Sequence, residues 1–384
     1  MKKRTAIGVV VLSVLVGIGI VGCQQSEISE SLVTIDVKAD YPEKELTLQN
    51  FMEVEYIPLE TNDEFITQGS VKAIGRDYLV VTNRINDGNI YMFDRKTGKG
   101  VRKINRMGQG AEEYAFINGI VLDEDNGEMF VNSASMKKIF VYDLQGNFKR
   151  SFNHAEYLEV YDYDKDNLIC YDMSLYYKDG EKRENKFYHA LISKQDGSVT
   201  RGIPIPFDIV KAPFVQKGDM VAVSAVRSIT PCRENWLLVE TSSDTVYRYT
   251  SAKGKLTPFL VKKSTAEPDV MLSMGVVTDR YYFMQAIEKV FNFEKGRGFP
   301  SSDLMYDKQE AAVFKPVVFN ADNDKRVELV MHPEGGEIAS FQSLSADQLV
   351  EGYQNNELKG RLKEIAGRLN EESNPVIMLV KHKK

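Results

Sequence analysis

The chain is expected to be all-β, a six-bladed β-propeller closed by pairing strands from its two ends, with a short helical insertion near the C-terminus. Three observations lead there. One sentence is written twice, as NIYMFDRKTGKGVRKIN at Asn89 to Asn105 and as KIFVYDLQGNFKRSFN at Lys138 to Asn153. Each copy has a β-branched and aromatic run, an Asp, a turn with Gly and a second run with Arg. Asp94 thus matches Asp143, Gly98 matches Gly146 and Arg102 matches Arg150. The glycines stand 48 residues apart, and short strands recurring at about 40–50 residues mark propeller blades. Second, the pattern returns around Gly197 and around Gly254 in VYRYTSAKGKLTPFL. Third, strand-like runs are left unmatched at both ends, and pairing them removes the open sheet edge of an unclosed ring.

The 384 residues are 43% hydrophobic and 27% charged, ordinary for a globular protein with a sizeable core. A net charge of −6 excludes the basic footprint of a broad nucleic-acid surface. Met1-Lys2-Lys3-Arg4 is a basic start, and Ile7 to Gly22 is apolar. That run is shorter than the roughly 20 residues of a membrane span and reads as a targeting segment. Ile20-Val21-Gly22-Cys23 resembles the lipobox of bacterial lipoproteins. The resemblance implies a signal peptide over 1–22 and a lipid anchor on Cys23, stable because several acyl chains insert together. Gln24 follows rather than Asp, which in enteric bacteria implies the outer membrane. Residues 23–43 are read as a tether, polar and aperiodic over Gln24 to Glu30, and 44–384 as the propeller.

From Met52 to Tyr56, apolar and acidic residues alternate, as in a half-buried strand, and Pro58 ends it or places it at an edge. Blade 1 is expected over about 66–106 and blade 2 over about 114–153, where Asn126-Gly127 is a strong hairpin signal. Blade 3 spans about 155–206 with a polar insertion at Met173–Lys186. Blade 4 spans about 219–263. Blade 5 spans about 270–331, with Asp322-Asn323 as its last turn and Glu288–Glu310 as a loop over one face. Ser345 to Asn370 changes character: Leu358, Leu362, Ile365 and Leu369 recur at helical spacing, and Ser345 with Gln348 fits a capping box. Val376 to Lys381 is a last strand. Glu337–Phe341, Val376–Lys381 and Leu46–Tyr56 are then the pieces of blade 6.

The chain resembles the six-bladed β-propeller lipoproteins of Bacteroides-type bacteria, related in architecture to NHL-repeat propellers. The residues that carry the resemblance are IPLE at Ile57 to Glu60, the turn at Thr97 to Lys99, GQGAEEY at Gly108 to Tyr114, VYDLQGNF at Val141 to Phe148 and the terminal NPVIMLVK. It covers nearly all of the chain after Cys23. One departure is Gly110-Ala-Glu-Glu-Tyr114, where the family usually has Gly-Pro-Gly-Glu-Tyr. The resemblance implies the fold; it brings little chemistry with it.

Candidate sites follow from the blade plan. Arg106 to Tyr114 links blades 1 and 2 near the mouth of the central channel. Gly108 and Gly110 there offer amides for an anion nest, and Arg106, Gln109, Glu113 and Tyr114 are the candidate ligand contacts. A GxG that opens no helix is weak as a phosphate signal, so the competing expectation is that these glycines only shape the crossover. Tyr176 and Tyr177 in the first insertion, and Phe291, Phe293 and Phe299 in the second, offer rings to a glycan or a protein partner. Asp162 to Asn167 resembles the start of a calcium loop but lacks the glycine and glutamate that an EF-hand requires. The four histidines fall in no metal-binding spacing, no nucleophile elbow is present, and Cys170 and Cys232 are expected to be separate thiols. The expectation is a binding or scaffold module without cofactor, held to the outer membrane by its lipid and facing an envelope protein or glycan. The rival is an NHL-like lyase or hydrolase with a metal-assisted site in the channel.

Overall fold

The repeated turn explains why the outer half of each blade forms. Asp94 Oδ1 accepts from the backbone N–H of Lys96 and Thr97 and from the Thr97 hydroxyl. Asp143 Oδ1 accepts from the N–H of Gln145 and Asn147 in the same way. The chain then reverses through a glycine in the left-handed region, φ +70° at Gly98 and +84° at Gly146, which costs a residue without Cβ little. A computed structural model describes residues 32–184, 187–263 and 267–383. In it the turns close the outer hairpins of Asn89–Asp94 with Gly100–Asn105 and of Lys138–Asp143 with Phe148–Asn153.

Five blades are antiparallel four-stranded sheets, with strands a to d running from the channel outward. Blade 1 holds Ser70–Ile74, Tyr78–Thr82 and its outer hairpin; blade 2 holds Gly119–Asp123, Glu128–Ser133 and its own. Blade 3 holds Tyr157–Asp162, Asn167–Asp172, His189–Ser193 and Val199–Ile203, and blade 4 holds Ile229–Cys232, Asn235–Leu238, Thr245–Thr250 and Lys255–Lys262. Blade 5 holds Val270–Val277, Tyr281–Glu288, Ser301–Asp307 and Ala312–Asn320. Blade 6 is built from both ends: Ile338–Leu344 pairs with Val376–His382, which pairs with Met52–Pro58. Ile57 stands opposite Ile377 and Val54 opposite Val380. Its innermost piece is irregular, touching the sheet through a single bridge from Pro333 to Ser340.

Packing repeats the count. Six apolar clusters lie at six seams between neighbouring blades. The two-residue period of a strand feeds two of them at once. Leu79 and Val81 enter the seam between blades 6 and 1, whereas Val80 enters the seam between 1 and 2. Middle strands are therefore buried on both faces and read as continuous apolar runs. Each such side chain contributes roughly 1.5–3 kcal/mol.

Several boundaries differ from the sequence reading. Where 23–43 reads as a tether, the described part is held: Val33–Ile35 lies parallel to the outer strand of blade 4, and Ile35 is fully buried. Glu43–Thr47 likewise lies parallel to the outer strand of blade 5. Met220–Val223, read as the start of blade 4, pairs instead with Phe214–Lys217 as a separate hairpin. Within the expected loop 288–310, Ser301–Asp307 is the third strand of blade 5. Its fourth strand ends at Asn320, and Asp322-Asn323 turns it into a two-residue strand, Lys325–Arg326, rather than joining its third and fourth strands. The helical insertion is two helices, Ala346–Gln354 and Gly360–Ala366, which bury Leu349, Leu362 and Ile365. Ser345 precedes the first without a side-chain cap bond.

Candidate functional site

One face of the ring carries the d-to-a and b-to-c connections, and all the long ones are there. They include 106–118, 173–188, 204–228, 289–300 and 345–375. The opposite face carries short polar turns that satisfy themselves. Glu124, for example, accepts from the N–H of Arg76, Asp77 and Tyr78.

Between blades 1 and 2, Tyr114 is fully buried, donates its hydroxyl hydrogen to Gly88 O at 2.7 Å and accepts from Arg106 N at 3.0 Å. Burial pushes this phenol up to about 12. Arg106 Nε donates to Gly146 O in the next blade's turn at 3.0 Å. The amides expected to form an anion nest are engaged within the segment: Gly110 N donates to Glu113 at 2.8 Å and Gly108 N to Tyr114 O at 3.1 Å. A Cβ on Gly108 would run into the Glu113 carboxylate, so the glycine makes room for an internal bond. Gln109 is left exposed. The segment ties two blades together, which is the competing expectation above.

Tyr176 and Tyr177 lie on a 3-10 helix, Met173–Lys178, started by Asp172 accepting from Ser174 N at 3.0 Å. Leu175 is buried beneath it. Tyr176 turns inward against Tyr171, ring centroids 6.2 Å apart, and burial lifts its phenol above the usual range. Tyr177 turns outward, 73% exposed. Both line a groove of about 940 Å³ whose far wall is the 214–223 hairpin, with Phe214 and Val221, and whose end is Lys289. Asp179 holds the walls together. It meets Lys289 Nζ at 3.5 Å, which joins the two insertions singled out in the sequence, and accepts from Ala212 N at 2.7 Å. Phe291, Phe293 and Phe299 pack on one another, with centroids 4.9 and 5.6 Å apart.

The hairpin wall was not foreseen. Its signal is the short apolar run Met220 to Val223, which reads equally well as a blade strand. Among the described residues, every exposed large apolar side chain except Leu32, Val101 and Val199 lies in a connection on this one face. Ile85, Phe116, Tyr177, Ile209, Val221 and Val290 are among them.

The channel holds charges that spacing does not reveal. Glu159 on strand a of blade 3 accepts from Ser228 N at 2.7 Å and Ile229 N at 3.0 Å. Arg227 Nη1 faces Met274 O and Val330 O at 3.4 and 3.3 Å. Burial pushes Glu334 up to about 7, with Arg227 pulling it the other way. The histidines stand apart. His154 bonds Ala155 O and Asn132, His189 bonds Ser228 O, and His332 stacks on Phe341. Among the described residues no three His, Cys, Asp or Glu side chains gather to hold a metal. Cys170 and Cys232 are free thiols. Cys23, the signal segment and Gln24–Glu30 lie outside the described residues. No described helix is long and apolar enough to cross a membrane.

A family model described as a 6-bladed beta-propeller, DUF5128, matches residues 23–333. Among solved structures, a Bacteroides fragilis protein described as exported superposes with a TM-score of 0.59 at 13% identity, covering 92% of this chain and 100% of that one. A member of the DUF4221 family from Bacteroides vulgatus gives a TM-score of 0.49 at 13% identity, covering 88% and 99%. No curated protein matches the sequence.

Proposed function

The chain belongs to the DUF5128 family of six-bladed β-propellers, and from that premise we propose that it is a binding module of the cell envelope rather than an enzyme. Cys23 carries the lipid that holds it to the outer membrane, and the ring offers its connection face to an envelope protein. The observation that carries this reading is the gathering of exposed apolar side chains on that face, densest around the groove between Tyr177 and the 214–223 hairpin. Contiguous exposed apolar surface is costly to keep in water and marks interaction sites. Aromatic and aliphatic groups ringed by charge, here Asp179, Lys211 and Lys289, have the make-up of a partner-binding patch.

The test is site-directed photocrosslinking in intact cells. A photoreactive residue at Tyr177 is expected to yield a discrete protein adduct that the same residue at Val199, on the blade 3 rim, does not. The double change Val221→Glu and Val223→Glu should abolish that adduct, since both side chains are exposed and tolerate charge without unfolding. If Tyr177 and Val199 give the same pattern, the docking face is refuted. The anchor is tested apart: Cys23→Ser should end lipid labelling and move the protein to the soluble fraction.

A further inference from the structure

A second site lies at the other mouth of the channel, among the short a-to-b turns of the face opposite the long connections. A cavity of about 600 Å³ opens there, and the turns of blades 1, 2, 3, 4 and 6 all contribute to its lining. Part of that lining is aromatic. Tyr161 and Tyr163 come from blade 3 and Trp236 from blade 4, with the Trp236 ring 5.9 Å from Tyr161 and 6.2 Å from Tyr163 between centroids. Another part is the irregular inner piece of blade 6, Glu334 to Gly336. Its backbone is pinned although it forms no regular strand. Glu334 N donates to Ala339 O at 2.9 Å, Gly336 N donates to Arg233 O at 3.1 Å, and Gly335 bridges to Arg233. Glu334 is thereby fixed as a half-buried member of the cavity wall.

The cations around this mouth are engaged, and Glu334 is not. Arg76 pairs with Asp77 and Asp125, and Arg233 pairs with Asp279 at 3.0 Å. Lys194 is held between Asp123 and Asp162 at 2.6 and 2.7 Å. Deeper in the channel, Arg227 turns Nη1 to the carbonyls of Met274 and Val330. Its one charge serves two carboxylates, Glu159 and Glu334. Glu159 has two backbone N–H donors as well. Among the described residues the Glu334 carboxylate has neither a hydrogen bond nor an ion pair. A carboxylate drawn out of water without a donor is unfavourable, and a ligand cation would supply what it lacks. The rings beside it suit the same ligand, because aromatic faces attract ammonium and guanidinium groups.

We infer that this cavity binds a small organic cation, its ammonium or guanidinium group on Glu334 and its body along the wall of Tyr161, Trp236 and Tyr163. An aliphatic polyamine and an aryl amine share this chemistry, and the probes separate them. The inference is independent of the protein-docking reading, since the groove beside Tyr177 shares no lining residue with this cavity.

The chain has one tryptophan, Trp236, and it stands in the wall, so its fluorescence reports occupancy. The experiment is fluorescence titration of the full chain with putrescine and with phenethylamine, and with butanediol and phenethyl alcohol as their uncharged counterparts. At least one amine should bind at least tenfold more tightly than its alcohol, and more weakly as salt rises. Glu334→Gln should weaken it tenfold or more and leave the melting temperature unchanged or raised, because an unpaired charge is removed. A carboxylate that serves only as a structural partner of Arg227 would instead lower the melting temperature when replaced. Tyr163→Ala should weaken binding severalfold, and Tyr163→Phe, which keeps the ring, should not. Putrescine alone would assign an aliphatic amine; phenethylamine alone, an aryl one. Binding of neither amine at millimolar concentration, alcohols as tight as amines, affinity unchanged in Glu334→Gln or in Tyr163→Ala, or a lowered melting temperature in Glu334→Gln overturns the inference.

Discussion

Asn374→Ala should loosen the ring where its two ends meet. Asn374 is 2% exposed and sits just before the C-terminal strand. Its Nδ2 donates to Glu60 O at 2.6 Å and Phe65 O at 2.7 Å, and its Oδ1 accepts from Thr67 N at 2.9 Å. The segment so clasped, 59–69, is the link from blade 6 to blade 1. Alanine removes three bonds at once, leaves the Thr67 amide and the Glu60 carbonyl without partners and Phe65 O with only its long bond from Asn62 N, in a site that water reaches poorly. At roughly 1–1.5 kcal/mol for each, the cost is about 3–4 kcal/mol. For a chain of this length the unfolding entropy, about 2.1 cal/mol/K per residue, sums to about 0.8 kcal/mol/K, so the melting temperature should fall by about 4–5 °C. Asn374→Asp should be worse at neutral pH, because it turns two donors into acceptors facing carbonyls. Its carboxyl would be driven upward, so the native state would hold the proton longer than the unfolded chain, and stability would fall as pH rises. Differential scanning calorimetry of both variants, with exposed Asn370→Ala as reference, measures this. A drop below 1 °C for Asn374→Ala, or an Asn374→Asp deficit that does not shrink toward pH 4, would refute the reasoning.

Asp307 should make the protein acid-labile: burial alone would raise its carboxyl, but bonds from Arg280 and Lys44 outweigh that and hold it well below the usual range. The stability it supplies is present above the unfolded value near 4 and lost as pH falls below it. Asp307→Asn should therefore be less stable at pH 7 and flatter below about pH 4 in a pH series of melting curves. Glu240 works in the opposite sense: burial pushes it up to about 7 against bonds from Ser242 and Tyr171. Wild-type stability should fall from about pH 4.5 to 7 as the unfolded chain ionises first, and Glu240→Gln should lessen that slope, leaving the share that Glu334 supplies in the same range. Gly127→Ala and Gly98→Ala both place a Cβ at positive φ, but Gly127 has open space around it whereas a Cβ on Gly98 would sit 2.0 Å from Pro58 O. Urea titration should show a cost of about 1–2 kcal/mol for the first and a clearly larger one for the second.

Much of the fold could be read from the chain because its signals are local. Asp94 and Gly98, and their copies at Asp143 and Gly146, specify a turn within five residues, and the apolar runs beside them specify strands. Val33–Ile35 and Glu43–Thr47 are legible only once the edges they cover are known, for neither has a periodic pattern of its own. The inner piece of blade 6 was hidden because it barely forms a strand, and the third strand of blade 5 because Ser301, Ser302 and Asp303 look like loop. At the site, Gly108 and Gly110 look like a nest until Glu113 is seen to fill it. Tyr177 is exposed because an aromatic in a polar insertion has little to pack against, whereas its neighbour Tyr176 finds Tyr171.

The pairing of Met52–Pro58 with Val376–His382 also governs the order in which the molecule can be made. During synthesis the first of these strands emerges some three hundred residues before its partner. Met52, Tyr56 and Ile57 wait without the strand they pair with while five blades take shape behind them. Bringing the two together closes a loop whose entropic cost is about 5 kcal/mol, met only when Val376–His382 has emerged. A ribosome that stalls short of Val376 therefore releases blades that can fold but a circle that cannot shut.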